Sequence, residues 1–322
     1  MFSSELAGLE TLARQTRHEP VSVEPLAGDV GRRRYFRLTL RDNRTVLGVV
    51  YPPEEGDSRR RWVEAQAALR GRVRVPTLIA DDGSGNQIVE DLGRTDLAAR
   101  LSECPGERSF WLERAADVAH AIAASSDATI NTPFDGAFLL RELELAREAV
   151  FDLHLAEPLS SDDRETHDRW ARALVAEILG HPFALCHRDF HANNLFAVEE
   201  TVAVIDFQDL RRGPDAYDLA SLLWERSTLE WMSDETAKAV VLKFASRRGT
   251  DPHALANRLR RVLLQRAWKV CGTFARAVCL GRGEAYRRYL PAQLSLVLRL
   301  LSSTEEDRRF GAVLRSRTHA VC

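Results

Sequence analysis

The sequence predicts an α/β (α+β) fold of two lobes: an antiparallel-sheet lobe over residues 1–92 and a larger, mainly helical lobe over residues 93–322. Three observations predict it. A chain of 322 residues exceeds the usual size of one hydrophobic core. Residues 21–51 read as strand, glycine turn, strand, hairpin turn, strand. Beyond Gly93 the apolar residues take up helical spacing.

Taken in order, residues 4–17 form a short amphipathic helix whose role is packing. Val21–Leu40 contains two strands about the turn Gly28-Asp29-Val-Gly31; an ordinary hairpin is the default reading, and a lid over phosphates, which glycine would let backbone amides approach, is the alternative. Arg41-Asp-Asn-Arg44 is a hairpin turn and Thr45–Tyr51 a third strand. Pro52 and Pro53 break the sheet, and Ser58–Gly71 reads as a helix with Ser58 as N-cap. Gln87–Gly93 is a strand ending in a hinge glycine. Phe110, Trp111, Ala115, Val118, Ala119 and Ile122 share one helix face, and Leu139, Leu140, Leu143, Ala146 and Val150 another. Further helices are predicted near 163–180, 215–227, 234–248, 252–280 and 284–302, with a mobile tail from Thr304.

Between the helices lies the stretch the rest serves. Phe183–Cys186 is an apolar run followed by His187-Arg-Asp-Phe-His-Ala-Asn-Asn194, and Val202–Ile205 is a β-branched run ending at Asp206. Phosphoryl transfer from a nucleotide needs one carboxylate to orient and accept the proton of the attacking hydroxyl. It also needs an amide oxygen and a second carboxylate to hold Mg²⁺ against the phosphates. Asp189, Asn194 and Asp206 supply these groups in that order. Taken singly, each is an ordinary turn residue; three roles at the right spacing point to a kinase-type site.

Composition bounds the rest. The chain is 45% hydrophobic and 29% charged, as expected of a globular protein. It has no apolar run of membrane-spanning length and no signal-peptide pattern at its N-terminus, so a cytoplasmic location without a membrane partner is expected. Cysteines 104, 186, 271, 279 and 322 form no CxxC pair and suit a reducing compartment. Residues 211–322 carry a formal charge of +10 and residues 1–210 one of −12. The basic third has no aromatic-interleaved basic run, so no nucleic-acid partner is expected. Lysine is scarce: only Lys238, Lys243 and Lys269 stand among 45 basic residues.

The arrangement resembles the aminoglycoside phosphotransferase family, small-molecule kinases with a protein-kinase-like fold. The resemblance spans nearly the whole chain and rests on His187–Asn194, Ile205-Asp-Phe-Gln-Asp209 and Gly213-Pro-Asp-Ala-Tyr-Asp-Leu-Ala220. Within the family the chain is most similar to the bacterial N-acetylmuramate/N-acetylglucosamine 1-kinases of cell-wall recycling. Arg33-Arg-Tyr-Phe-Arg37, Pro52-Pro53, Asp91-Leu-Gly93, Leu140–Leu145, Asp206–Asp209 and Lys269-Val-Cys-Gly-Thr-Phe-Ala-Arg276 carry that closer likeness.

The resemblance implies ATP and Mg²⁺ as cofactors and a sugar as substrate. Asp189 would be the catalytic base, with Asn194 and Asp206 as metal ligands. Gly28, Asp29 and Arg34 would lie at the phosphates, and the Glu90 and Leu92 backbone at adenine. Glu142, Asp209 and Arg276 are the candidate sugar residues. His187 and Asp218 would support the loop. One departure stands out: the third strand lacks the lysine that pairs with nucleotide phosphates, and Val49 holds its position. Glu64 on the following helix then lacks its usual partner, and Arg34 or Arg37 would supply the charge. The alternatives are an aminoglycoside kinase, another small-molecule hydroxyl kinase such as a choline kinase, and a nucleotide-binding pseudokinase. Only three residues separate Gln208 from Arg212, which leaves no room for the activation loop of a protein kinase. The oligomeric state is left open.

Overall fold

A computed structural model describes residues 2–26, 33–125, 130–281 and 284–318. Helix α1 (Phe2–Gln15) leads into strands β1 (Pro20–Leu26), β2 (Arg34–Leu40) and β3 (Thr45–Val50), followed by helix α2 (Gly56–Leu69). Strands β4 (Leu78–Asp81) and β5 (Asn86–Glu90) complete a five-stranded antiparallel sheet of order β1-β2-β3-β5-β4. The period of two sorts its side chains. Phe36, Leu38, Val46, Val50 and Ile88 form a small core with Leu9, Leu12 and Ala13 of α1. The opposite face carries Tyr35, Leu47, Val49, Tyr51 and Val89 toward the helical lobe. Gly48 leaves room for α1, since a Cβ there would crowd the Leu9 side chain.

Helix α2 begins earlier than expected. A 3₁₀ turn over Pro53–Glu55 winds straight into it, so its N-cap is Glu55 and Ser58 lies inside the first turns.

The helical lobe contains α3 (Leu97–Glu103), α4 (Arg108–Ala123), α5 (Gly136–Arg147) and α6 (Ser161–Leu179). Two short antiparallel ribbons follow. Strand β6 (Phe183–Cys186) pairs with β9 (Arg211–Pro214), and β7 (Leu195–Val198) pairs with β8 (Thr201–Val204). The chain continues through α7 (Tyr217–Leu223), α8 (Ser227–Trp231), α9 (Asp234–Arg248), α10 (Pro252–Cys279), α11 (Glu284–Arg287), α12 (Leu290–Leu300) and α13 (Glu305–Thr318). No helix among the described residues is long and apolar enough to cross a membrane.

The 28-residue helix α10 runs through the core of this lobe and is buried on most of its circumference. Trp268 meets Trp170 of α6, Phe151 and Phe310 in one aromatic cluster. Phe310 belongs to the segment expected to be a tail, which is instead the packed helix α13. Asp307 is fully buried and accepts hydrogen bonds from Trp170 Nε1 (3.1 Å) and Arg261 Nη1 (2.8 Å). Thr304 and Asp307 cap the helix reciprocally, at 3.0 and 3.1 Å.

Helix α10 can lie against α5 only because residue 272 is glycine. A Cβ there would sit 2.4 Å from Ala146 Cα, a backbone atom that cannot step aside. Since α10 carries the cations of the candidate site, this contact sets their position. Gly272→Val should therefore destabilise the fold by about 1–3 kcal/mol through overpacking. Urea denaturation, with a lowered midpoint at unchanged slope, checks it.

Candidate active site

The loop after β6 is held from below by one carboxylate. Asp218, in the first turn of α7, is buried and accepts backbone N–H bonds from His187 (2.7 Å) and Arg188 (3.0 Å). This anchor holds Arg188 at φ +78°, a left-handed conformation that non-glycine residues rarely adopt. His187 is fully buried, and its Nε2 bonds the Ile205 carbonyl at 2.9 Å, tying the loop to the end of the β7–β8 ribbon. Asn194 Nδ2 donates to the Asp189 carbonyl at 2.9 Å. That bond commits the amide nitrogen to the loop and leaves the side-chain oxygen as a ligand atom. Asp206 follows β8 at φ +62°. Asp189, Asn194 and Asp206 thus line one cavity of about 210 Å³.

Cations from α10 surround Asp189. Lys269 Nζ lies 3.6 Å and Arg266 Nη2 3.4 Å from Asp189 Oδ1. Burial pushes this carboxyl up, but the charges of Lys269, Arg266 and Arg188 outweigh it and hold it well below the usual carboxylate range. Arg266 is itself buried. It bonds Glu225 through Nε (3.1 Å) and Nη2, and the Arg188 carbonyl through Nη1. Burial alone would raise Glu225, yet Arg266 and its neighbours bring it down to about 2. His191 Nε2 sits 3.8 Å from Glu225 Oε1, and burial lowers the imidazole to about 4, so the ring is neutral.

Asn194, Asp206 and Arg226 also line a second cleft of about 660 Å³ between sheet and helical lobe. Its walls are Leu26, Leu47, Val49 and Val89 above and Phe196 and Ile205 below, an apolar slot for a flat ring. The hinge closes one end. Arg37 holds Asp91 through Nε (2.6 Å) and Nη2 (3.1 Å) and also donates to the Gly93 carbonyl (2.9 Å). Gly93 turns there at φ +110°.

The residues nominated from sequence fall into three groups. Asp189, Asn194 and Asp206 converge, with His187 and Asp218 beneath them. Glu90 and Leu92 lie at the hinge, where the Glu90 side chain binds Arg74 and the Thr77 N–H, leaving its main chain at the cleft. Glu142 and Asp209 both meet Arg188, at 3.2 and 3.9 Å, one residue from Asp189. Four nominees lie elsewhere or beyond reach. Arg34 shares the α1 side of β2, opposite Val50, while Arg33 and Arg37 line the cleft. Arg276 is exposed on α10 and lines neither cavity. Gly28 and Asp29 lie outside the described residues. Val49 faces the cleft, and Glu64 pairs with Arg60 at 2.8 Å on the surface of α2.

A family model described as "Phosphotransferase enzyme family" matches residues 22–257. The chain belongs to this phosphotransferase family. It is 33% identical over 282 residues to a Pseudomonas aeruginosa protein named N-acetylmuramate/N-acetylglucosamine kinase, covering 84% of this chain and 80% of that one. A Neisseria meningitidis protein of the same name is 29% identical over 284 residues, with 85% and 84% covered. Among solved structures, a choline/ethanolamine kinase family protein from Mesorhizobium loti superposes with a TM-score of 0.67. It is 14% identical, with 98% of this chain and 100% of that one covered. The ADP-bound aminoglycoside phosphotransferase APH(2'')-Ib gives 0.61 at 16% identity, covering 94% and 97%. The two-lobed, protein-kinase-like fold is therefore that of the phosphotransferases.

The phosphotransferase site has the donor set for a hard divalent cation. The Asn194 amide oxygen and the Asp206 carboxylate would offer oxygen ligands where the two cavities join. Asp206 Oδ1 already draws in a cation, the Arg33 guanidinium, at 3.1 Å. Sequence reasoning missed Arg33, Glu225, Arg266 and Lys269 as site residues. Lys269 carried a signal, being one of three lysines in the chain. Glu225 and Arg266 carried none, since only the fold brings them together.

His191 makes the site sensitive to acid. The unfolded chain protonates this histidine below about its ordinary 6.5, the folded one only near 4. The unfolded state therefore binds more protons in between, and stability falls as pH drops. Wild type should lose about 2–3 kcal/mol more than His191→Gln between pH 6.5 and 4.5. Parallel urea titrations at the two pH values measure the difference.

Proposed function

We propose that this phosphotransferase moves the γ-phosphoryl group of ATP to the anomeric hydroxyl of an N-acetylated hexosamine, N-acetylmuramate or N-acetylglucosamine. The observation that carries the reading is the shared name of four relatives, 28–33% identical over 71–85% of this chain, each an N-acetylmuramate/N-acetylglucosamine kinase. The geometry supports it. The smaller cavity is on the scale of one monosaccharide, opens beside Asp189, and is walled by the stacked rings of Phe274 and Tyr286 (centroids 5.1 Å apart). Such a stack suits the apolar face of a sugar.

In this reading Asp189 orients the acceptor hydroxyl and takes its proton. Lys269 and Arg266 fix the carboxylate and keep it ionised. Asn194 and Asp206 would hold Mg²⁺, which would neutralise charge on the nucleotide phosphates. The apolar slot binds adenine, with the Glu90 and Leu92 backbone at its edge. Glu142 and Asp209 act on the sugar side through Arg188. The hinge at Glu90–Gly93 divides a nucleotide lobe, residues 1–92, from a catalytic lobe, residues 93–322. Use of ATP fits a cytoplasmic location.

Asp189→Asn should fold as wild type does and lose kcat by about 10²–10⁴-fold, the usual worth of a general base. A coupled ADP-release assay with a melting curve checks both halves, and near-normal turnover would remove the base assignment. The acceptor atom is read by phosphorus NMR of the product from N-acetylglucosamine. The expected signal couples to the anomeric proton; coupling to methylene protons would mean transfer to the 6-hydroxyl and would sink the anomeric reading.

A further inference from the structure

Nucleotide phosphates in this fold need a cation from the sheet lobe, and β3 offers only Leu47 and Val49 to the cleft. Among the described residues, Arg33 and Arg37 of the sheet lobe and Arg94 just beyond it line this side of the cleft. Arg37 is fully engaged at the hinge with Asp91 and Gly93. Arg94 pairs with Glu24 at 2.8 Å in an exposed contact.

Arg33 is placed differently. It immediately precedes β2, its side chain only 15% exposed and lining the cleft with Tyr35 and Tyr51. Its Nη2 reaches across the cleft to Asp206 Oδ1 at 3.1 Å, and its Nε lies 3.6 Å from Glu55 Oε2. A guanidinium has a planar fork suited to phosphate oxygens. Here it rests on the carboxylate that the kinase reading gives to the metal. Arg33 and a divalent ion cannot both hold that oxygen in the same place.

We propose that Arg33 replaces the missing third-strand lysine as the phosphate-binding cation. Without nucleotide it occupies the metal carboxylate, so that metal and nucleotide bind together. One contact fits this exchange: Gln208 Nε2 also donates to Asp206 Oδ1, at 2.8 Å, so the carboxylate keeps a partner when Arg33 leaves. The inference rests on the kinase reading of the cleft, not on the identity of the sugar.

The test uses binding as well as turnover. Mn²⁺ binding is followed by EPR of the free ion, and MgATP binding by calorimetry, for wild type, Arg33→Met and Arg33→Lys. Wild type should bind Mn²⁺ weakly until ADP is added. Arg33→Met should bind Mn²⁺ alone about tenfold more tightly and MgATP about 10- to 100-fold more weakly, the worth of a charge-assisted contact. Arg33→Lys, which keeps the charge, should recover part of the MgATP affinity and stands in if Arg33→Met does not fold. Arg33→Met that holds Mn²⁺ no better than wild type, or MgATP equally well, overturns the proposal and leaves the kinase reading intact. Wild type that binds no MgATP overturns both.

Discussion

The interaction on which the site depends is the buried contact of Arg266 with Glu225, the Arg188 carbonyl and Asp189. A guanidinium away from water is tolerated only when its donors are satisfied, so its partners must hold fixed places. Arg266 lies on α10, Glu225 follows α7, and Arg188 and Asp189 sit on the loop after β6. One side chain thus joins three segments far apart in sequence. The close packing of Gly272 against α5 serves the same end, since a shift of α10 would move Arg266 and Lys269 together.

Arginine also joins the two lobes. The Arg37–Asp91 pair fixes the hinge, the Arg33–Asp206 pair spans the cleft, and the Arg74 carbonyl receives the Val204 N–H at 2.9 Å. Asp91 is nearly inaccessible; burial raises its carboxyl, and hydrogen bonds led by Arg37 bring it down. Arg37 is thus committed to Asp91 and Gly93, while Arg33, just before β2, holds a carboxylate that has a second partner. This difference separates a structural arginine from a functional one in the same strand region.

Local signals made much of this legible. The convergence of Asp189, Asn194 and Asp206 on one cavity is legible because the loop after β6, the β7–β8 ribbon and its strand end are contiguous in sequence. The long helix α10 was readable from its spacing. Strand parity would also have chosen among the arginines. Arg34 shares parity with Phe36 and Leu38, which pack on α1, whereas Arg33 alternates with Tyr35 and Arg37. Helix α13 hid behind a run of charges, although Thr304 and Asp307 have the spacing of a reciprocal cap. Glu225 and Arg266 were not readable. Each resembles a solvated helical charge until the fold closes over them.

The electrostatics of Asp189 bear on what it must do as a base. Cations close enough to fix its position also reduce its affinity for a proton. A strong base would need the reverse arrangement, with the carboxylate buried among apolar groups. In a loose phosphoryl transition state the nucleophile contributes little bonding, so orientation matters more than basicity. An anomeric hydroxyl, the most acidic on a sugar ring, lowers the demand further. On the proposed reading Lys269 and Arg266 would hold the carboxylate that aims the hydroxyl. A site built in this way gives up proton affinity for position, which suits a reaction governed by alignment and charge.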